Sequence, residues 1–307
     1  MSIKTLAPSV TVRDPKGLKF MSIVEARYNK AQLSEDEAQR VNDTPGLSDL
    51  IGSWIEEHRR PNQFANEEVR TVYGYPREYK GSKPIEEQIE ALVEICDGKV
   101  DPSCALAFAR NLPDMKQFVP ADALRYTGWF ATLWDEALVA LFPKETDRAQ
   151  RYCNGVSLML EKIAASRSFT NWRKGQIDTA HLRIHARTMQ AMDQIALTQK
   201  GGILIIAGQL GIRHGGRSVR RAREVFVANE YGTGSLTGTS VVYTHPERLV
   251  RWEELDMDLP GDEFSDGGGG QFGHAPYLSF YDGTRFDAVV VSVAGGFCGS
   301  SSFFAPQ

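Results

Sequence analysis

Gly201-Gly202-Ile203-Leu204-Ile205-Ile206-Ala207-Gly208-Gln209-Leu210-Gly211-Ile212-Arg213-His214-Gly215-Gly216-Arg217-Ser218-Val219-Arg220-Arg221-Ala222-Arg223 is the stretch on which the fold turns. Its unbroken apolar run, Ile203–Ala207, is bounded by glycines and reads as a buried strand. Residues 208–216 read as a glycine-punctuated loop, and residues 218–229 as the helix that follows it. Towards the C-terminus, Leu236–Tyr243 is expected as a strand and Pro246–Trp252 as a turn of helix. Tyr277–Tyr281 and Arg285–Val293 read as two strands joined at Asp282-Gly283, a two-residue hairpin signal.

Towards the N-terminus the texture is helical. A helix is expected from about Ile177 to Thr198, and another from Thr146 through Tyr152, Val156, Met159 and Ile163. The most apolar helix is expected over Pro120–Leu141, stopped by Pro143. Ile85, Ile89, Leu92 and Val93 mark a further one, as do Leu50, Ile51, Trp54 and Ile55. Ser34 with Glu37 three residues on is a capping box. Short strands are expected at Ser9–Val12 and Val69–Tyr75. Helices first and strands later give an α+β class, with a mainly helical region over 1–170 and an α+β region over 171–307. One continuous domain is the alternative.

At 42% hydrophobic and 24% charged over 307 residues, the chain can bury a sizeable core. That excludes a collagen-like or disordered chain. Cys96, Cys104, Cys153 and Cys298 share no framework spacing, which excludes a disulfide-stapled one. Apolar runs such as Ile203–Ala207 are far short of a membrane span, so no membrane partner is expected. The opening MSIKTLAPSV lacks the apolar core of a secretory signal. The expected setting is therefore cytoplasmic, or a viral particle. A net charge of -4 confines any nucleic-acid contact to a local patch.

Such a patch exists. Between 201 and 229, Arg213, Arg217, Arg220, Arg221 and Arg223 stand against Glu224, a local +4. Cations in a first helical turn oppose the helix dipole and require an anion nearby. Strand, glycine loop and helix N-terminus together resemble a phosphate cradle, although the spacing fits neither established nucleotide-loop pattern. The internal alternative is the segment 246–270. It carries eight acids, among them Asp256, Asp258, Asp262 and Glu263, against Arg248 and Arg251, a local -6. The acidic turn itself departs from the calcium-loop pattern and reads as a solvated loop or as the partner of the arginines.

Two further candidates carry chemistry. Asp178, His181 and His185 fall at spacings of three and four, one face of the expected helix and a candidate metal set. Cys298, among glycines, is a candidate nucleophile if a histidine stands beside it. His214 is the candidate acid or base of an anion pocket. No cofactor is expected.

The reading that follows is a non-enzymatic subunit of a homo-oligomer or larger particle, cellular or viral, whose basic and acidic surfaces are complementary. A cytosolic enzyme with an arginine-lined anion pocket at 208–223 is the second reading. A module for nucleic acid or a phosphorylated partner, using the same arginines, is the third.

Overall fold

The computed structural model of the chain describes residues 15–59 and 62–306. They fall into two compact units, Met1–Arg60 and Pro61–Gln307. The change of texture near residue 170 lies inside the second unit. The expected strand at Ser9–Val12 lies outside the described residues.

The first unit is helical: α1 (Pro15–Lys30), α2 (Glu35–Asn42) and α3 (Leu47–Arg59). The Ser34–Glu37 capping box opens α2 in both directions, Ser34 accepting from the Glu37 amide and Glu37 from the Ser34 amide. None of the side chains described in this unit is buried. Leu18, Met21, Ile23, Leu50, Ile51 and Ile55 are 38–68% exposed.

The second unit begins with α4 (Ile85–Ile95), α5 (Ser103–Ala109), β1 (Gly128–Leu133), α6 (Asp135–Leu141) and α7 (Arg148–Ser166). Next come β2 (Phe169–Asn171), β3 (Leu182–Ile184), α8 (Ala186–Thr198), β4 (Ile203–Gln209), α9 (Val219–Val225), β5 (Glu230–Gly232) and α10 (Ser235–Thr244). It ends with β6 (Met257–Asp258), β7 (Asp262–Phe264), β8 (His274–Phe280), β9 (Thr284–Val290) and β10 (Ser302–Phe304). One sheet runs β1-β4-β10-β5, antiparallel throughout. The other runs β2-β9-β8-β7-β3, with β6 beside β8. The class is α+β, with the strands concentrated in the C-terminal half. β4 is buried along its whole length, as its apolar run requires. The β8–β9 hairpin turns at Asp282-Gly283.

Four expected elements change. Pro120–Leu141 is not one helix: Gly128–Leu133 is a strand paired residue for residue with β4, Phe130 opposite Ile206 and Leu133 opposite Ile203. Only Asp135–Leu141 of that stretch is α-helical. An apolar run has the same composition in either state, and the ladder with β4 decides it. The helix expected from Ile177 begins only at Ala186, after β3. Val69–Tyr75 is extended but forms no strand; the neighbouring Glu68 makes one isolated bridge to Arg217.

Leu236–Tyr243, expected as a strand, is the buried helix α10. Its hydroxyls bond back along the helix, Thr239 to the Ser235 carbonyl at 2.6 Å and Ser240 to that of Leu236 at 2.8 Å. Its first amides are taken by Asp262 and Tyr152, at 2.6 Å from Ser235 and 3.3 Å from Leu236. Tertiary capping therefore overrides the β-branched bias of the sequence.

Candidate functional site

The glycine loop is built on the end of β4. Gln209 Oε1 accepts from the Gly211 amide at 2.8 Å, while Nε2 donates to the Ser300 carbonyl and to Ser302 Oγ, both at 2.9 Å. Gly211 has φ +121°, and a Cβ there would lie 2.7 Å from the Gly299 carbonyl oxygen. Gly216 has φ +82°, and a Cβ would sit 2.0 Å from the Val69 carbonyl oxygen. Only glycine allows these two approaches. Ser218 then caps α9, accepting from the Arg221 amide at 3.1 Å.

Beneath the loop lies a buried charged cluster. His214 Nε2 is 2.7 Å from Glu230, and both side chains are essentially inaccessible. Ser302 Oγ donates to Glu230 at 2.7 Å, Arg213 lies 3.2 Å from it, and Arg217 donates to His214 Nδ1 at 3.0 Å. With Nδ1 accepting, Nε2 must be the protonated nitrogen, so the imidazole is neutral. Burial pushes its pKa down against the pull of Glu230. Burial acts to raise the Glu230 carboxyl, yet the donors around it hold it well below the ordinary carboxylate range. Both His214 nitrogens are hydrogen-bonded within the chain.

Each of the five arginines has a partner within the chain. Arg213 pairs with Asp122 and Glu230, Arg217 with Glu68 at 3.1 Å, and Arg220 with Glu67. Arg221 pairs with Glu68 at 2.5 Å and Glu224 at 2.9 Å. Arg223 donates to the carbonyls of Pro260 at 2.8 Å and Asp262 at 2.7 Å. Two of these anions, Glu67 and Glu68, come from one strap, residues 62–75. Glu224 accepts the amides of Gln63 and Phe64, and Arg220 lies 4.3 Å above the Phe64 ring. Glu67 also accepts from Ser218 Oγ at 2.7 Å, and the Val69 amide bonds to the Gly216 carbonyl. At its far end the Tyr75 hydroxyl accepts from the Leu210 amide at 2.9 Å. The basic loop–helix is the seat of the chain's own acidic strap.

The acidic segment is only partly a surface: Glu253 and Asp266 are exposed, whereas others of its acids turn inward. Asp258 and Asp262 are buried on β6 and β7, and Asp256 stands beside them. Burial pushes Asp256 up to about 8, with the neighbouring Asp258 adding to it. Burial alone raises Asp258 to about 7, and it raises Asp262 to about 6 against its bonds to Ser235 and Tyr152. Glu263 is spent on Arg183 at 2.8 Å. The fully buried Arg248 bonds to the carbonyls of Leu255 and Leu210, both at 2.8 Å. Of the five arginines only Arg223 meets this segment through hydrogen bonds, and it does so at backbone oxygens.

The other candidates separate. Asp178 and His181 pair at 2.8 Å in a turn, while His185 caps α8, accepting from the Arg187 amide at 3.3 Å. The three therefore do not share a helical face. Among the described residues no group of three or more such side chains is placed to hold a metal ion. Cys298 is buried, and burial with Asp258 and Asp256 nearby pushes its thiol up to about 12, the opposite of an activated thiolate.

The partners that matter most, Glu67, Glu68, Asp122 and Glu230, carry no spacing relation to the arginines in the sequence. Glu224, three residues after Arg221, is the local partner among the anions. No protein-family profile, curated protein or solved structure matches this chain.

Proposed function

We propose that this chain is a non-enzymatic structural subunit of a homo-oligomer or larger assembly, and that the helical arm of residues 15–59 is the part that reaches the next copy. The observation that carries this reading is the arm itself: three helices whose described side chains include none that is buried. Burying apolar side chains is the main source of stability for short helices, and among the described side chains of these helices none is buried. A second exposed apolar set offers a receiving face. Trp252 and Tyr281 meet edge to face at 5.2 Å, 59% and 53% exposed, on the second unit. Exposed aromatic pairs of this kind are characteristic of protein contacts.

The contact is apolar rather than the meeting of basic and acidic surfaces expected from the sequence. The five arginines are paired inside the chain, and three of the acids are in or against the core. The same pairing removes support from an anion-pocket enzyme and from a nucleic-acid module at 208–223. A reducing compartment suits the four free thiols.

Sedimentation velocity across a concentration series tests the reading. The wild-type chain is expected to sediment as a discrete multiple of 34.1 kDa. Leu50→Glu with Ile55→Glu is expected to reduce it to the single chain with unchanged circular dichroism in the β region. A wild-type monomer at every concentration, or a particle indifferent to these substitutions, contradicts it.

A further inference from the structure

Apart from the arm and the strap, the second unit contains a cavity of about 370 Å³ where the start of α6, the first turns of α7, β3 and α8 converge. Its walls are Trp134, Leu138, Tyr152, Leu182, Ile184 and Met189. Four of these, Trp134, Leu138, Tyr152 and Leu182, are buried side chains belonging to the main core. The volume lies within the range of small-molecule sites.

The polar atoms of the two aromatic walls are satisfied by protein. Tyr152 Oη is 2.9 Å from both oxygens of Asp262, and Trp134 Nε1 donates to Asp193 at 3.2 Å. The two rings stand edge to face at 6.4 Å. The charges at the rim are likewise engaged. Arg148 pairs with Asp135 at 3.1 Å and with Asp193 at 2.9 Å, and Arg183 pairs with Glu263. Asp147 caps α7 through the Ala149 amide at 2.9 Å.

We infer that this cavity is a binding site for a small, neutral, apolar molecule, of which a single aromatic ring is the simplest example. A polar or charged group set between the aromatic and aliphatic walls would lose its water without gaining a partner there, because the Tyr152 hydroxyl and the Trp134 indole N–H are already bonded. Water in such a cavity is loosely held and readily displaced by carbon. Face and edge of two aromatic walls favour a planar ring. The site stands independently of the assembly reading.

Three probes of one shape test it on the full chain: ethylbenzene, benzylamine and benzoate, measured by saturation-transfer NMR and calorimetry. Ethylbenzene is expected to bind, with both charged analogues at least about tenfold weaker, the penalty of an unpaired polar group. Ala149→Trp adds bulk at the mouth from an exposed position in the first turn of α7, and Met189→Trp fills the cavity from α8. Each is expected to weaken ethylbenzene about tenfold or more with helix content unchanged. Absence of ethylbenzene binding, equal binding of all three probes, or binding untouched by both substitutions overturns the inference.

Discussion

The helical arm and the β-rich unit solve opposite problems. In the first unit, charges share the helices with exposed apolar side chains such as Leu50 and Ile55, and no described side chain is buried. In the second unit, carboxylates, arginines and histidines are drawn into the interior, and the arginines of the loop–helix all find partners there. The lesson concerns where an interface can form. A charged patch whose members are already paired offers little to a partner, whereas an apolar stripe without cover has stabilisation still to gain.

The largest effect should come from breaking the buried cluster. Glu230→Ala leaves His214, Arg213 and Ser302 without their shared acceptor, and the loss of one member of a buried charged network costs about 3–5 kcal/mol. Urea unfolding of the variant should show that drop. A loss under 1 kcal/mol would place the cluster outside the account of why the second unit is stable.

A second effect is a dependence on pH. Asp256, Asp258 and Asp262 hold protons more tightly folded than unfolded, at about 8, 7 and 6 against a usual 3.8. Their contribution is complete below the unfolded value and is lost as pH rises through the folded values. His214, His185 and His245 are shifted down, so their contribution rises with pH only up to about 6.5. Between about pH 6.5 and 8 the carboxyls act alone. Stability there should fall by roughly 1–2 kcal/mol per pH unit. Asp258→Asn should flatten the slope; a chain equally stable at pH 6.5 and 8 would mean that these carboxyls are solvated.

The smallest effect sharpens the contrast at the strap. Glu67→Gln with Glu68→Gln removes partly exposed ion pairs, each worth about 0.2–1 kcal/mol. Global stability should change little, while residues 62–70 become a site of proteolytic cleavage, more so in high salt. An unchanged cleavage pattern would show that the amide bonds from Gln63, Phe64 and Val69 suffice to hold the strap.

What was legible in the sequence was local. The apolar run Ile203–Ala207 announces β4, the periodic 85–93 and 146–163 stretches announce α4 and α7, and Asp282-Gly283 announces the β8–β9 hairpin. Elements decided by distant contacts differ from their local signals. Leu236–Tyr243 is rich in β-branched residues, and the carboxyl and hydroxyl that start it as a helix are Asp262 and Tyr152. Gly128–Leu133 becomes a strand because β4 lies beside it. The arginine cluster was legible as a need for anions. Its anions were not, since Glu67 and Glu68 lie about 150 residues upstream of Arg220.

Native mass by light scattering at low and at high salt tests the central claim most directly. The account predicts a discrete multiple of 34.1 kDa at both, because the contact is apolar and insensitive to screening. A 34.1 kDa particle at both salts, or a larger one that falls apart as salt rises, would contradict it.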